Sequence, residues 1–557
     1  MSERGEMNAS PATLQQLEQA RRSGMPVRQT IESVARTLQL PIASVRGAAS
    51  SYSDLSADPG AIRVCRGTSC MLAGASDLSC HLNARHACRT VYCVGYCDRS
   101  PALLMPDDRV AIQCRTDKCG DFSYTPGGGS DRGLASHPPP PDVRCAARAP
   151  IVTGRLMQGG CADLSAARGA GVYQSLETAL RKPPSHIIDL VDQSGLRGRG
   201  GAGFLTGRKW RTAARAPGDR KYIIANGDEG DPGSFIDREL MERDPHSILE
   251  GMILAAYAVG ASEGIVFIRS EYPRAIHIMR QAIEDARNAG LLGSSIAGFL
   301  FAFDVRVVTG LGSYVCGEET AMLNAIEGKR GEARPRPPYP AECGLFGKPT
   351  VVNNVETLVN VPWIVRNGAA AFRAMGTAAT PGTKAICLNH GFARPGIVEV
   401  DFGTSLKHVI DDLAGGPAQG KTLDAVLLGG PMGCIALPTD WDVPVCMDAM
   451  TQRGLRLGHA GLVALPNGSD YAMLLRHMLE FMAEESCGKC VPCSLGTQQA
   501  LALIQNGGLT SKGHQSLVSI FHLMEQASLC GFGRETPGPV RQLLEHFGAQ
   551  ILKEVGR

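Results

Sequence analysis

The sequence predicts a multidomain α/β protein, and three observations carry that expectation. A chain of 557 residues, at one domain per ~150 residues, holds three or four cores. From about 150 to 375, segments of helical and of strand periodicity alternate, the pattern of an α/β core. Between them and a shorter front part lies a stretch, 125–142, with Gly127-Gly128-Gly129 and then Pro138 to Pro141 and no apolar period, which reads as a linker. Hydrophobic residues at 44% and charged residues at 20% are those of a globular protein and exclude disorder as the dominant state.

The elements follow in order. Thr13–Ala20 and Thr30–Leu38 place apolar residues at helical spacing, and Pro26 and Pro41 stand at helix starts; residues 1–58 form an N-terminal helical segment. Residues 61–65 and 89–93 read as strands with a helix over 71–85 between them, and 102–105 and 109–112 as a hairpin turned at Pro106-Asp107-Asp108. These make a small α/β domain, 59–124, followed by a linker over 125–149. The large α/β domain takes 150–375, a β-rich, glycine-punctuated module 376–460, and a helical domain 461–557 whose first clear helix begins near Tyr471.

Charge and hydropathy narrow the function classes. Fifty-six basic against 54 acidic residues leave a net charge of +2, so no long-range attraction to nucleic acid or an anionic membrane is expected. The most apolar window, Ile248–Ile268, is broken by Glu250 and Glu263, which predicts no spanning helix. The charged start, Met1 to Glu6, leads into no apolar run and is not a secretory signal, so the expected compartment is the cytoplasm. Nineteen cysteines in a compartment that keeps thiols reduced point to metal or redox chemistry.

Two groups of cysteines stand out. Cys487, Cys490 and Cys493 recur at steps of three and Cys530 follows at a distance, so a compact run wraps one face of a centre and a remote thiolate closes the other. That suits a four-iron cubane; a four-thiolate zinc site is the alternative the residue types leave open. Cys65 and Cys70, then Cys93 and Cys97, each follow a predicted strand and offer four thiolates to a two-iron cluster, with Gly67 and Gly95 leaving room beside the sulfides. Buried core cysteines are the alternative there, and Cys80, Cys88, Cys114 and Cys119 crowd the same region. Cys145, Cys161, Cys316, Cys343, Cys387, Cys434 and Cys446 are scattered and read as small buried hydrophobes.

Gly198, Gly200 and Gly203 form G-x-G-x-x-G, but the preceding segment, 186–193, reads as a helix, not the strand a dinucleotide fingerprint needs. The loop still offers bare backbone N–H groups beside Arg199 and Lys209, fit for a phosphate or a flat ring lying on the main chain. The strand 221–225 ends in Asn226-Gly227-Asp228-Glu229-Gly230-Asp231, whose amide and carboxylates suit ribityl or ribose hydroxyls. Glu318 and Glu319 enter a helix after the strand 305–308, and Asn353, Asn354 and Thr357 suit phosphate capture at a helix start.

These segments, in this order, resemble the NADH-binding flavoprotein subunit of respiratory complex I, a module shared by NAD-dependent formate dehydrogenases and NAD-reducing hydrogenases. The resemblance spans roughly 150–550. The first 130 residues are similar to the thioredoxin-like two-iron ferredoxin subunit of those systems, here fused in front. The resemblance implies a Rossmann-like FMN and NAD domain, a ubiquitin-like β-grasp module and a helical bundle holding a four-iron cluster. It implies FMN on Gly198, Arg199, Gly200, Gly201, Lys209, Asn226, Asp228, Glu229, Tyr314, Gly317, Glu318, Glu319, Asn353, Asn354 and Thr357. NAD is implied against Phe204 and Tyr339, with a nucleotide contact at Asp231. Asp231, Arg336 and Tyr339 stand where the family usually carries glutamate, lysine and phenylalanine.

The function expected is that of a diaphorase: hydride exchange between NAD(H) and FMN, then single-electron transfer through a 4Fe–4S and a 2Fe–2S cluster. Glu229 is the candidate catalytic residue, tuning access and affinity while the cofactors carry the chemistry. The expected partners are a molybdenum- or tungsten-containing formate dehydrogenase catalytic subunit and a small two-iron ferredoxin-type subunit, with hydrogenase subunits or complex I as alternatives. A zinc-stabilised scaffold or regulatory binding module is the reading from another class.

Overall fold

The computed structural model describes residues 12–115, 138–505 and 511–555; Cys119 and most of the glycine–proline stretch lie outside them. The helices Val27–Thr37 and Ile42–Ala49 begin directly after Pro26 and Pro41, where a missing N–H and a fixed φ suit a helix start. Their apolar stripes do not pack on the small domain that follows. Leu14, Leu17, Ile31, Val34 and Val45 close instead over Tyr222, Ile224, Ile265 and Phe267 of the large domain.

The small domain is a four-stranded sheet: β1 (Ile62–Cys65), β2 (Cys88–Val91), β3 (Ala102–Leu104) and β4 (Val110–Ile112), in the order β2-β1-β3-β4. β1 and β2 are parallel, and β3 and β4 form the hairpin expected at Pro106-Asp107-Asp108. The next strand, β5 (Val143–Cys145), falls in the segment read as linker and pairs in parallel with a strand some 250 residues on, between Ile397–Glu399. Directly after it, a fully buried Glu399 carboxylate accepts from the N–H groups of Ile151, Val152 and Thr153 (3.0, 3.1 and 2.8 Å), which fastens the chain where it enters the large domain.

The large domain is built on β6 (Tyr222–Gly227), β7 (Glu263–Ile268), β8 (Asp304–Thr309) and β9 (Thr350–Asn354), all parallel, in the order β8-β7-β6-β9. β6 and β7 are near-continuous apolar runs because both faces are covered: helices including Pro184–Ser194, Pro245–Val259 and Val355–Asn367 lie on one, the N-terminal layer on the other. The hydropathy maximum is thereby explained. Pro245–Val259 is a core helix with every residue but Tyr257 buried, and no helix among the described residues is long and apolar enough to cross a membrane.

A mixed sheet of β10 (Thr383–Leu388), β11 (Gly396–Asp401), β12 (Leu423–Leu428), β13 (Cys434–Ala436) and β14 (Gly461–Pro466) runs β13-β12-β14-β10-β11-β5. The last region is helical, opening at Tyr471 with Asp470 accepting from Met473 N at 2.7 Å. Leu474, Met478, Ala500, Phe521, Val540 and Leu543 form its core. Two of the scattered cysteines depart from expectation. Cys343 is exposed, in a surface turn where its thiol meets Gly347 O, and Cys145 is half-buried because β5 is an edge strand.

Candidate functional site

The chain runs β6, β7, β8 outward in one direction and returns to place β9 on the other side of β6. The crevice between the carboxyl ends of β6 and β9 is therefore a topological switch point, where open α/β sheets bind ligands. The sequence puts Asn226 at the end of β6, and Asn353 and Asn354 at the end of β9. The glycine loop, between the helices Pro184–Ser194 and Thr206–Arg215, lies over the same place. Its Arg199 N–H donates to Thr357 Oγ1 (2.8 Å), and a Cβ on Gly200 would stand 3.1 Å from Asn354 Cβ. Gly201 and Gly203 have φ of +106° and +64°, conformations side chains disfavour.

The polar groups around this loop hold one another in place. Lys209 Nζ donates to Val352 O (2.9 Å) and to Glu319 (3.2 Å). Asn226 donates to Gly317 O (2.8 Å) and accepts from Asp228 N (3.0 Å). Trp210 Nε1 donates to Asn353 (2.8 Å). Asn354 caps the helix Val355–Asn367 by accepting from Thr357 N. Glu318 caps the helix Glu319–Ile326 with one oxygen, and its other oxygen is buried with no hydrogen-bond partner. Tyr314 OH donates to Asp231. The structure thus gathers Gly198 to Gly201, Lys209, Asn226, Asp228, Gly317 to Glu319, Asn353, Asn354 and Thr357 about one crevice.

Four expected residues sit differently. The Arg199 guanidinium is turned into the protein, donating to Arg197 O and Pro381 O and lying 4.7 Å from the Phe402 ring, so only its backbone faces the loop's neighbours. Glu229 is 3% exposed; its carboxylate accepts from Asp237 N, Arg238 N and Tyr272 OH (3.2, 3.1 and 3.2 Å) and caps the helix Ile236–Arg243. Phe204 and Tyr339, at 57% and 55%, present their rings to solvent. Burial pushes Asp228 up to about 8, with Arg269 opposing. Burial and the charge of Asp237 raise Glu229 to about 7 against the pull of His459 and the two N–H groups.

The two cysteine groups lie near the crevice. Cys65, Cys70, Cys93 and Cys97 are all buried; the neighbouring Cys70 thiol and burial push Cys65 up, with Cys93 opposing, and Cys93 and Cys97 sulfurs are 3.4 Å apart. N–H groups of Gly95 and Gly233 each point at a sulfur from 3.3 Å, and Gly233 belongs to the large domain. Buried Arg269 (to Tyr92 O, 3.0 Å) and Arg238 (to Gly95 O, 3.1 Å) bind that loop to the large domain. In the helical region Gly488, at φ +79°, turns the loop that carries Cys487 and Cys490. Cys493 lies on the next helix, and Cys530 directly precedes the helix Gly531–Glu535. Cys493 feels the charges of Cys490, Cys530 and Cys487, after burial, and is pushed up to about 12. Among the described residues, the set of His, Cys, Asp or Glu ligand atoms within 4.8 Å of one another is Glu229–Asp237–His459. Among the described residues, no three sulfurs of either quartet lie within 4.8 Å of one another. Where the two groups meet the crevice, Asp228, Tyr314, Arg269, Glu485, Tyr92 and Cys487 line a cavity of about 330 Å³.

Comparison with known proteins supplies the family. Residues 191–363 match the Nuo51 FMN-binding domain, 473–554 the NADH-ubiquinone oxidoreductase-F iron-sulfur binding region, and 3–120 the thioredoxin-like [2Fe-2S] ferredoxin, which takes in the N-terminal helices. The NADP-reducing hydrogenase subunit HndC of Solidesulfovibrio fructosivorans is 42% identical over 388 residues, 69% of this chain and 78% of that one. The chain belongs to the NADH-binding flavoprotein family. A subunit of the NADH-quinone oxidoreductase of Rhizobium meliloti is 41% identical, the match covering 70% of this chain and 94% of that one. A chain of an NAD+-reducing [NiFe]-hydrogenase, solved in the H2-reduced state, superposes with a TM-score of 0.82 at 30% identity over 99% of this chain and 93% of that one. The chain is an NADH-oxidising flavoprotein subunit of a multi-subunit oxidoreductase, with FMN, 4Fe–4S and 2Fe–2S sites. The donor set fits those groups: bare main chain at the crevice for a flat ring, eight thiols in two quartets for iron.

His459 and Lys384 belong to no motif, and Asp237 and Glu356, though inside the stretches that follow β6 and β9, were not singled out. They lie in a helix, a loop and a strand of ordinary composition, and only His459 between glycine and alanine offered a signal, a bulky titratable group in a tight turn.

Proposed function

We propose that the crevice between β6 and β9 holds FMN and receives NAD(H), and that the chain is the diaphorase subunit of a complex whose substrate chemistry lies on another subunit. One observation carries this: the bare glycine loop lies on the switch point of the parallel sheet, and both cysteine groups reach the cavity at Asp228, Cys487 directly and the Cys93 group through Tyr92. When bound, FMN supplies acceptance of a hydride and release of electrons one at a time. The residues orient and exclude. The loop 198–203 backs a flat ring, Lys209 and the helix start at Val355, with Asn353, Asn354 and Thr357, hold phosphate, and Phe204 with Tyr339 flank the nicotinamide dinucleotide. Asp231, held by Tyr314, meets the nucleotide. Glu229 acts as a positioning residue, since its carboxylate ties the 228–231 loop to the helix Ile236–Arg243. No side-chain base is needed for hydride transfer. Cys487, Cys490, Cys493 and Cys530 hold the four-iron cluster; Cys65, Cys70, Cys93 and Cys97 hold the two-iron cluster.

The partner we assign is a molybdenum- or tungsten-containing formate dehydrogenase catalytic subunit, with a small two-iron ferredoxin-type subunit, in the cytoplasm; the mixed sheet is read as the β-grasp module. A second reading, a hydrogenase partner, is favoured by the match to the hydrogenase chain over 99% of this one, front domain included. Native purification under anaerobic conditions, with metal analysis, separates them: molybdenum or tungsten supports the first, nickel the second. The same preparation is expected to release FMN on denaturation and to reduce a one-electron dye with NADH. A colourless, zinc-loaded protein would overturn the diaphorase reading altogether.

A further inference from the structure

The loop before β14, Gly458-His459-Ala460, belongs to the mixed-sheet module yet reaches the flavin cradle. A Cβ on Gly201 would meet the Gly458 carbonyl carbon at 3.3 Å. Next to it, His459 is 6% exposed, its Nε2 is 3.3 Å from Asp237 Oδ2, and its Nδ1, without a hydrogen-bond partner, is 3.8 Å from Glu229 Oε1. Asp237 is the junction. The oxygen that meets His459 also accepts from Asn354 Nδ2 at 2.5 Å, and its other oxygen accepts from Glu356 N at 3.1 Å. Asn354, in turn, is the side chain lying directly against Gly200.

We propose that His459 is a positioning residue: clamped between Asp237 and Glu229, it transmits the mixed-sheet module's hold through Asp237 and Asn354 to the glycine loop. The inference rests on the cradle assigned above. The three side chains are close enough to share a cation, but both oxygens of each carboxylate already accept hydrogen bonds. The positive charge the cluster calls for is the imidazolium's own. Burial alone pushes His459 down, but the hydrogen bond to Asp237 and the charges of Asp237 and Glu229 outweigh it, while Lys384 opposes, and the group is held up to about 9. Asp231, on the nucleotide side, also feels this charge, and Lys384 is itself paired with Glu356.

The test uses the full chain with both clusters loaded, whose absorbance reports an intact fold, and measures the Kd for FMN by fluorescence between pH 6.5 and 10. His459→Gln is expected to weaken FMN about tenfold or more at pH 7, the scale of one charge-assisted hydrogen bond. The native chain's affinity is expected to fall as pH rises through about 9, a limb that the Gln variant lacks, so titration of the flavin itself cancels in the comparison. Asp237→Asn should weaken FMN similarly and move the limb to lower pH. Equal FMN affinity in the native chain and His459→Gln, with superimposable pH profiles, overturns the clamp. Should His459→Gln not fold, an unshifted limb in Asp237→Asn does so. A native chain that binds no FMN at any pH removes the cradle and the clamp together.

Discussion

Lys384 of β10 and Glu356 at the start of the helix Val355–Asn367 form an ion pair with both side chains at or below 1% exposure. It joins the mixed sheet to the helix that Asn354 caps, and Glu356 is further fixed by Ala385 N at 3.1 Å. Replacing Lys384 by methionine keeps the stem and removes the charge. The carboxylate is then left out of water with a single N–H for company, and uncompensated burial of this kind costs about 3–5 kcal/mol. At 2–4 °C per kcal/mol for a cooperative unit of 150–250 residues, the melting midpoint should drop by about 6–20 °C. Scanning calorimetry of the FMN-loaded chain, at fixed FMN concentration so that linkage does not intrude, reads this directly. The pair replaced as a whole, Lys384→Met with Glu356→Leu, should recover most of the loss, because two apolar side chains leave nothing unpaired. A Lys384→Met chain melting within about 2 °C of the native one, or a double variant worse than the single, would refute the reasoning.

Other expectations follow from the site. Gly201→Ala forces a side chain into φ +106° against the Gly458 backbone; strain of about 1–3 kcal/mol should weaken FMN by roughly 5- to 150-fold in an equilibrium titration. Cys530→Ser should abolish the four-iron signal in electron paramagnetic resonance while sparing the two-iron signal, and Cys97→Ser the reverse; loss of both from either change would contradict two separate quartets. Burial pushes His246, fully buried with Nδ1 2.9 Å from Tyr173 OH, down to about 4. Its folded value lies below the unfolded ~6.5, so the unfolded chain binds more protons, and the stability is whole above pH 6.5 and lost as pH falls toward 4, by about 3 kcal/mol. Acid unfolding should show this limb in the native chain and not in His246→Gln.

What the sequence made legible was local. Proline starts, the Tyr471 helix and the 102–112 hairpin depend on neighbours in the chain, and the glycine, asparagine and cysteine motifs keep their spacing whatever surrounds them. Contacts between distant residues stayed hidden. An amphipathic stripe on Val27–Thr37 says that one face is buried but not that its cover is β6 and β7, and β5 owes its existence to β11, about 250 residues away. The meeting of Asp237 and His459 spans 222 positions. Motif reading likewise identifies a glutamate at 229 without its rotamer, and the carboxylate turns into the helix behind it.

The two-iron domain is fastened on both flanks: its leading helices are packed into the large domain's sheet, and the strand that follows it is hydrogen-bonded into the mixed sheet. Its centre therefore keeps a fixed effective concentration beside the flavin crevice. Electron exchange between them is unimolecular, so its rate should be indifferent to dilution and to competing carriers, as it could not be if the small domain were a separate, diffusing protein.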